Sequence, residues 1–301
     1  LMTVIILALG VTRGLEASVR WMMPLLFLLL LILLGYAMVE GEFVTSLRFM
    51  FSFNIEDISW ESALTAMGHS FFTLSLGMGA IMAYGAYMPS NQSVGKTVML
   101  VALLDTLVAL VAGVAIFALV FTTPGLSVGS GPGLMFVTLP VAFGNMTAGM
   151  VIGAVFFVMM MLAAWTSTIS LLEPGVAYLN ERFRLTRIGA SLLLGVIAWL
   201  LGLGSVWSFN DWSDKQFLWG KSYFDSMDFI ATNIMLPLGG VLIALFVGWK
   251  LRDEHLLHEF KFESPLLLKI WRPILRYISP IAVLVILING IFPVLRSVFV
   301  E

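Results

Sequence analysis

Long apolar runs separated by short polar stretches dominate the chain. A bilayer core needs about 20 mostly apolar residues per helix. Seven stretches meet that length: about 21–39, 62–88, 97–122, 148–179, 188–206, 224–249 and 272–298. Residues 1–11 read as the tail of an eighth. The pattern predicts an all-α polytopic membrane protein. Residue 1 is Leu and the opening LMTVIILALG lacks the cationic start and cleavage site of a secretory signal. The expectation is that the chain begins inside a membrane segment, with further sequence upstream.

Composition narrows the classes. Of 301 residues, 60% are apolar and 11% are charged, against roughly 25% charged in soluble domains. This excludes a soluble globular fold, and disorder, which needs low hydrophobicity and high net charge. A net charge of -2 leaves no basic footprint for nucleic acid. Zero Cys excludes a disulfide scaffold, a thiolate metal site and a Cys nucleophile.

Charge also orients the spans. With the 12–20 loop inside, the inner side holds Arg13, Arg20, Lys96, Arg182, Arg184, Arg187, Lys250, Arg252, Lys261, Lys269, Arg272 and Arg276. The outer side holds only Arg48, Lys215, Lys221 and Arg296. The positive-inside rule selects this orientation. Most tryptophans fall near span ends, where amphipathic rings prefer to sit. Residues 123–147 form a long outer connection with GSGPG at 129–133, and 250–271 a charged inner segment. Neither contains a metal cluster, a phosphate loop or a catalytic triad.

Three spans break the apolar rule. Residues 69–79 read HSFFTLSLGMG, in the middle of the 62–88 stretch. Gly costs a helix about 1 kcal/mol relative to Ala, and Ser and Thr offer competing hydrogen bonds. The run reads either as a local unwinding, as in transporters that bind solutes at the midplane, or as a small-residue packing face. Asp105 sits among leucines in the next span, where an acid costs about 3 kcal/mol without a partner, proton or cation. Ala163, Thr166, Ser167 and Ser170 share one helical face. That stripe serves close packing or holds a hard cation through neutral oxygens. Glu173 follows, before Pro174, and reads as structural. His69 is a lone membrane histidine, and His255 and His258 read as solvated.

At these residues the chain resembles the neurotransmitter:sodium symporter family, in its bacterial leucine-transporter-like form. FFTLSLGMGA (71–80), with Tyr84 and Tyr87, resembles the sixth transmembrane segment. RGLEASVRWMMPLLF (13–27) resembles the loop into the fifth, and VTLP (137–140) the outer loop after the seventh. AAWTSTISLLEP (163–174) resembles the eighth, and FDSMDF (224–229) opens the tenth. The resemblance covers essentially the whole chain. It implies a partial inverted-repeat fold, with the first three segments and most of the fourth lacking. The divisions would be 1–11, the end of segment four; 12–61, an inner loop, segment five and an outer loop; 62–249, a complete second repeat; and 250–301, an inner loop and segment eleven.

The resemblance also implies roles. Thr73 would ligate a first Na⁺ that touches the substrate carboxylate, with Asp105 standing where the family usually has Asn. An acid there implies chloride independence. His69 stands where a polar amide is usual. Ala163, through its carbonyl, with Thr166 and Ser167, would form a second Na⁺ site. Phe72, Thr73, Ser75, Met78, Ser167 and Leu171 would contact substrate, Phe72 also capping it, and Met78 replacing an aromatic. Asp228 would belong to the outer gate, and Tyr87 and Glu181 to the inner one, facing arginines on missing segments. The implied function is Na⁺-coupled amino-acid symport by alternating access in a bacterial inner membrane, without enzymatic chemistry or an organic cofactor. A non-transporting fragment of such a symporter is one alternative. An intramembrane enzyme is a remote one, for which no acid–base or metal constellation is found.

Overall fold

The computed structural model describes residues 1–301 except 53, 56, 57, 90, 91, 127, 128, 130, 261–264, 300 and 301. Lys261 of the inner segment and Ser130 of the GSGPG stretch thus lie outside the described residues, as do the side chains of His255, His258 and Arg296. Every long described element is helical. Among the described residues, six helices are long and apolar enough to span a membrane: Val11–Glu40, Val94–Val120, Gly149–Phe183, Arg187–Ser208, Tyr223–Lys250 and Leu268–Phe292. The all-α polytopic fold class is therefore observed. The seventh expected span, 62–88, is not one helix. It divides into Trp60–Thr73 and Ala80–Ala86.

The helices, in chain order, are α1 (Met2–Ala8), α2 (Val11–Glu40), α3 (Phe43–Phe51), α4 (Trp60–Thr73), α5 (Ala80–Ala86), α6 (Val94–Val120), α7 (Gly131–Gly144), α8 (Gly149–Phe183), α9 (Arg187–Ser208), α10 (Tyr223–Lys250), α11 (Asp253–Phe260), α12 (Pro265–Pro273) and α13 (Ser279–Phe299). Among the described residues, π-helical turns with no proline just after them occur at Val11–Glu16 and Phe246–Lys250. Three others occur at Leu134–Thr138, Ile230–Met235 and Ile274–Ile278, and these lie just before Pro140, Pro237 and Pro280. A proline ring clashes with the carbonyl four residues upstream, and a widened turn relieves that clash without ending the helix.

The chain divides into two compact units: residues 1–55 with 103–170, and residues 56–102 with 171–301. The first unit has a continuous apolar core. Leu33 and Ala37 of α2, Ala115 and Leu119 of α6, Phe143 of α7 and Phe156 of α8 all belong to it. Small residues let α2, α3 and α6 approach closely. The Glu42 N–H donates to the Ala118 carbonyl at 2.9 Å. The buried Ser46 hydroxyl donates to the Val114 carbonyl at 2.8 Å. At Gly113 an added Cβ would lie 2.7 Å from the Met50 methyl, so the missing side chain leaves room for one from α3.

The second unit is built on α10 against α13. Gly248 and Gly290 mark two close approaches: an added Cβ would lie 3.0 Å from the Arg276 Cα and 2.9 Å from the Asn233 amide oxygen. The Arg276 guanidinium lies 4.9 Å from the Trp249 ring and its Nε donates to the Gly248 carbonyl at 2.8 Å. The broken helix α4–α5 packs in this unit.

Candidate functional site: a helix broken at membrane depth

The break begins with a defined capping structure. Ser59 caps the start of α4, its hydroxyl accepting from the Ser62 N–H at 3.0 Å. The helix ends at Thr73. Ser75 then takes φ 53°, in the left-handed region. The Ser75 N–H donates to the Phe72 carbonyl at 3.0 Å, and the Leu76 N–H to the Phe71 carbonyl at 2.9 Å. These two bonds define a Schellman cap, with Ser where Gly is usual. Gly77 (φ 79°) and Gly79 (φ 82°) keep the chain from re-entering the helix, because that region is open to Gly without steric cost. Gly79 then opens α5, its carbonyl accepting from the Ala83 N–H at 3.0 Å. Among the described residues the N–H groups of Gly77, Met78 and Gly79 have no backbone hydrogen bond. The unwinding expected around Ser75 is thus present.

Glycines on two segments hold the break against α10. A Cβ on Gly77 would lie 2.3 Å from the Leu236 carbonyl oxygen, one on Gly239 2.4 Å from the Gly77 carbonyl oxygen, and one on Gly240 2.6 Å from the Phe71 ring. The sequence signal for this, LPLGG at 236–240, was present, but nothing local identifies its partner.

Of the substrate-contact candidates, Phe72, Thr73, Ser75 and Met78 cluster at the break. Phe72 is 52% exposed, while Thr73, Ser75 and Met78 are half-buried. The Thr73 hydroxyl reaches the Ser70 carbonyl at 3.4 Å. Leu171 is exposed on α8. His69 lines an open polar groove along α4 with Glu61, Ser62 and Thr65. Asp105 is half-buried on α6.

The hydroxyl stripe lies on α8. The Thr166 hydroxyl, on a buried side chain, donates to the Ala163 carbonyl at 2.9 Å, and the Ser170 hydroxyl to the Thr166 carbonyl at 2.9 Å. Two oxygens expected to ligate one cation are therefore neighbours. Such neutral oxygens fit a hard cation. Ser167 is exposed.

A third constellation was only partly legible. Glu173, 1% exposed, accepts from Arg187 Nη2 at 2.7 and 2.5 Å and from the Tyr87 hydroxyl at 3.1 Å. Gly79 approaches Pro174, an added Cβ lying 3.5 Å from its Cβ. One end of α5 is thus hydrogen-bonded to α8 through Tyr87 and Glu173, and the other lies beside the next residue, Pro174. The family resemblance implies an inner gate of Tyr87 and Glu181 facing an arginine elsewhere; Glu181 is exposed further along α8, and from sequence Arg187 reads only as an inner-side cation. The signal that could have found the pair is an acid within a long, mostly apolar span, which demands a counter-charge. Asp228 lies in the first turns of α10, near the N-cap Ser222, whose hydroxyl accepts from the Asp225 N–H at 3.1 Å and donates to the Asp225 carboxylate at 2.7 Å.

The profile of the sodium:neurotransmitter symporter family matches residues 1–299. The chain belongs to this family. A sodium-dependent transporter of Bacillus subtilis (strain 168), YhdH, is 33% identical over 291 residues, covering 96% of this chain and 64% of its own length. A sodium-dependent transporter of Haemophilus influenzae is 30% identical, covering 96% of this chain and 63% of its own. The crystal structure of MhsT in complex with L-phenylalanine superposes with TM-score 0.83 at 40% identity, over 96% of this chain and 66% of that one. The chain thus spans about two thirds of the length of these relatives. The chain shares, in part, the fold of that structure and is a multi-pass membrane protein by its apolar helices; the two curated relatives are named as sodium-dependent transporters.

Proposed function

We propose that this chain carries the substrate- and ion-coupling elements of a Na⁺-driven amino-acid symporter that works by alternating access. The break at 74–79 is the observation that supports it most. Irregular backbone at membrane depth survives only where it is buried in protein or lines a wet cavity. Here the break leaves N–H groups of Gly77, Met78 and Gly79 without backbone partners, next to Thr73 and Phe72. Such groups suit a carboxylate or an ion at the midplane.

In this reading Thr73 and Asp105 serve a first Na⁺, and the Ala163 carbonyl with the Thr166 and Ser167 hydroxyls a second. Asp105 supplies the negative charge that chloride would otherwise bring, so transport is chloride-independent. Phe72, Met78 and Leu171 are apolar and favour a hydrophobic or aromatic amino acid, in keeping with the L-phenylalanine bound to MhsT. Na⁺ binding favours the outward-open state, substrate closes the outer gate through Phe72 and Asp228, and loss of the second Na⁺ opens the inner path at Tyr87 and Glu181. The remaining ligands and gate arginines come from residues beyond these 301. The membrane is the bacterial inner membrane.

The test is uptake of labelled phenylalanine into proteoliposomes containing the transporter. An inward Na⁺ gradient is expected to drive accumulation, and replacing chloride by gluconate to leave it unchanged. Accumulation that ignores the Na⁺ gradient would overturn the proposal.

A further inference from the structure

The connection between α9 and α10, residues 209–222, gathers its rings into one packed group. Trp212 lies 4.9 Å from Trp207, 5.3 Å from Phe217 and 6.0 Å from Tyr223, ring centre to ring centre. The Trp219 ring lies 5.3 Å from that of Phe229. Hydrogen bonds tie the connection to both helix ends. The Phe224 N–H donates to the Ser208 hydroxyl at 3.1 Å, and the Leu218 N–H to the Ser226 hydroxyl at 3.3 Å. The loop is therefore held close to the ends of α9 and α10.

Its two halves differ. Asp211, Ser213 and Asp214 expose polar groups. Phe217, Leu218 and Trp219 expose apolar ones, at 42%, 42% and 41%. Trp219 stands at the tip of a tight turn. The Lys221 N–H donates to the Leu218 carbonyl at 3.0 Å, and Trp219 (φ 53°) and Gly220 (φ 71°) are both left-handed. Asn or Gly suits the first of those places, and a tryptophan there is strained. Turn geometry thus does not call for the indole at the tip.

Helix length sets the depth of this surface. α9 has 22 residues, about 33 Å at 1.5 Å per residue, against a hydrocarbon core of about 30 Å. Its end at Ser208 reaches the headgroup level, and the loop tied to it lies there too. The positive-inside assignment makes this the outer leaflet. Apolar rings on one half and carboxylates on the other fit the boundary between lipid and water, where amphipathic rings prefer to sit.

We propose that the 209–222 loop is embedded in the headgroup layer of the outer leaflet. Phe217, Leu218 and Trp219 reach the glycerol level, and Asp211 and Asp214 face water. The partner is the phospholipid surface itself. The proposal rests on α9 and α10 spanning the membrane and is independent of the solute transported.

The test uses single-cysteine variants of the full-length transporter, labelled with bimane in proteoliposomes; these 301 residues contain no Cys of their own. Leu218→Cys and Trp219→Cys are expected to lose more fluorescence to phospholipid brominated near the glycerol end of its chains than to phospholipid brominated near the tail end. Leu200→Cys, exposed on α9 about 12 Å deeper by helical rise, is expected to show the reverse order. Aqueous iodide is expected to quench Asp214→Cys several times more strongly than Leu218→Cys or Trp219→Cys. Phe217→Cys serves if Trp219→Cys does not fold. Iodide quenching at 218 and 219 as strong as at 214 would place the loop in water. Insensitivity to both quenchers would place it under protein, and stronger quenching from the tail end would place it in the hydrocarbon core. Each of these results would overturn the proposal.

Discussion

Arg187 meets both carboxylate oxygens of Glu173, at 2.7 and 2.5 Å, where the carboxylate is otherwise sealed from solvent. Removing one partner of a buried ion pair costs about 3–5 kcal/mol, because the other charge is left uncompensated. Arg187→Ala is therefore expected to lower thermal stability in detergent by several kcal/mol. Arg187→Leu combined with Glu173→Leu should recover much of the loss, since no charge remains buried. A double variant no more stable than Arg187→Ala would show that the pair does not act through charge compensation.

Tyr87 tests the same junction differently. Its hydroxyl donates to Glu173 at 3.1 Å, and a hydrogen bond to a charged group contributes about 1.5–3 kcal/mol. Tyr87→Phe keeps the ring and removes only that bond. The expected result is a loss near the lower end of that range in denaturation, with faster hydrogen exchange confined to α5. Unchanged exchange there would show that the bond does not anchor the half-helix.

Ser75 adopts a left-handed conformation that Gly takes freely. Ser75→Gly should leave stability equal or slightly raised. Ser75→Val should lower it by about 1–2 kcal/mol, because a β-branched side chain is poorly tolerated there. Melting of both variants in detergent measures the difference, and Val at least as stable as Gly would contradict the capping geometry.

At Gly239 the constraint is contact. An added Cβ would sit 2.4 Å from the Gly77 carbonyl oxygen, which is backbone and has no flexible end to swing aside. Gly239→Ala is expected to force α10 from the break and to reduce substrate binding and stability together. Gly85→Ala, where an added Cβ meets nothing within 4 Å, is the control and should cost little. Equal behaviour of the two would argue against the close approach.

For the ion sites, Thr166→Ala removes the hydroxyl that lies 2.9 Å from the Ala163 carbonyl. Thr166→Ala and Ser167→Ala are each expected to raise the Na⁺ concentration for half-maximal uptake about tenfold or more, the equivalent of about 1.4 kcal/mol per decade. Asp105→Asn is expected to make uptake depend on chloride. Both are read from uptake at varied Na⁺ and Cl⁻, and unchanged ion dependence would remove those assignments.

The membrane class, the helical spans and the weak point at 69–79 were all legible in the residues. Each is a local property: hydrocarbon length, net hydropathy, and the cost of Gly, Ser and Thr within a helix. The family likeness was legible because FFTLSLGMGA and AAWTSTISLLEP keep chemistry-bearing residues in fixed order. Tertiary structure alone decided that Ser75 turns left-handed along with the two glycines, Gly77 and Gly79. It alone joined Gly77 to Gly239 and Gly240, and Glu173 to Arg187 and Tyr87. Those pairings lie far apart in sequence or across a helix junction, so no local periodicity encodes them. They follow from the need to pack bare backbone against small residues and to neutralise a charge that water cannot reach.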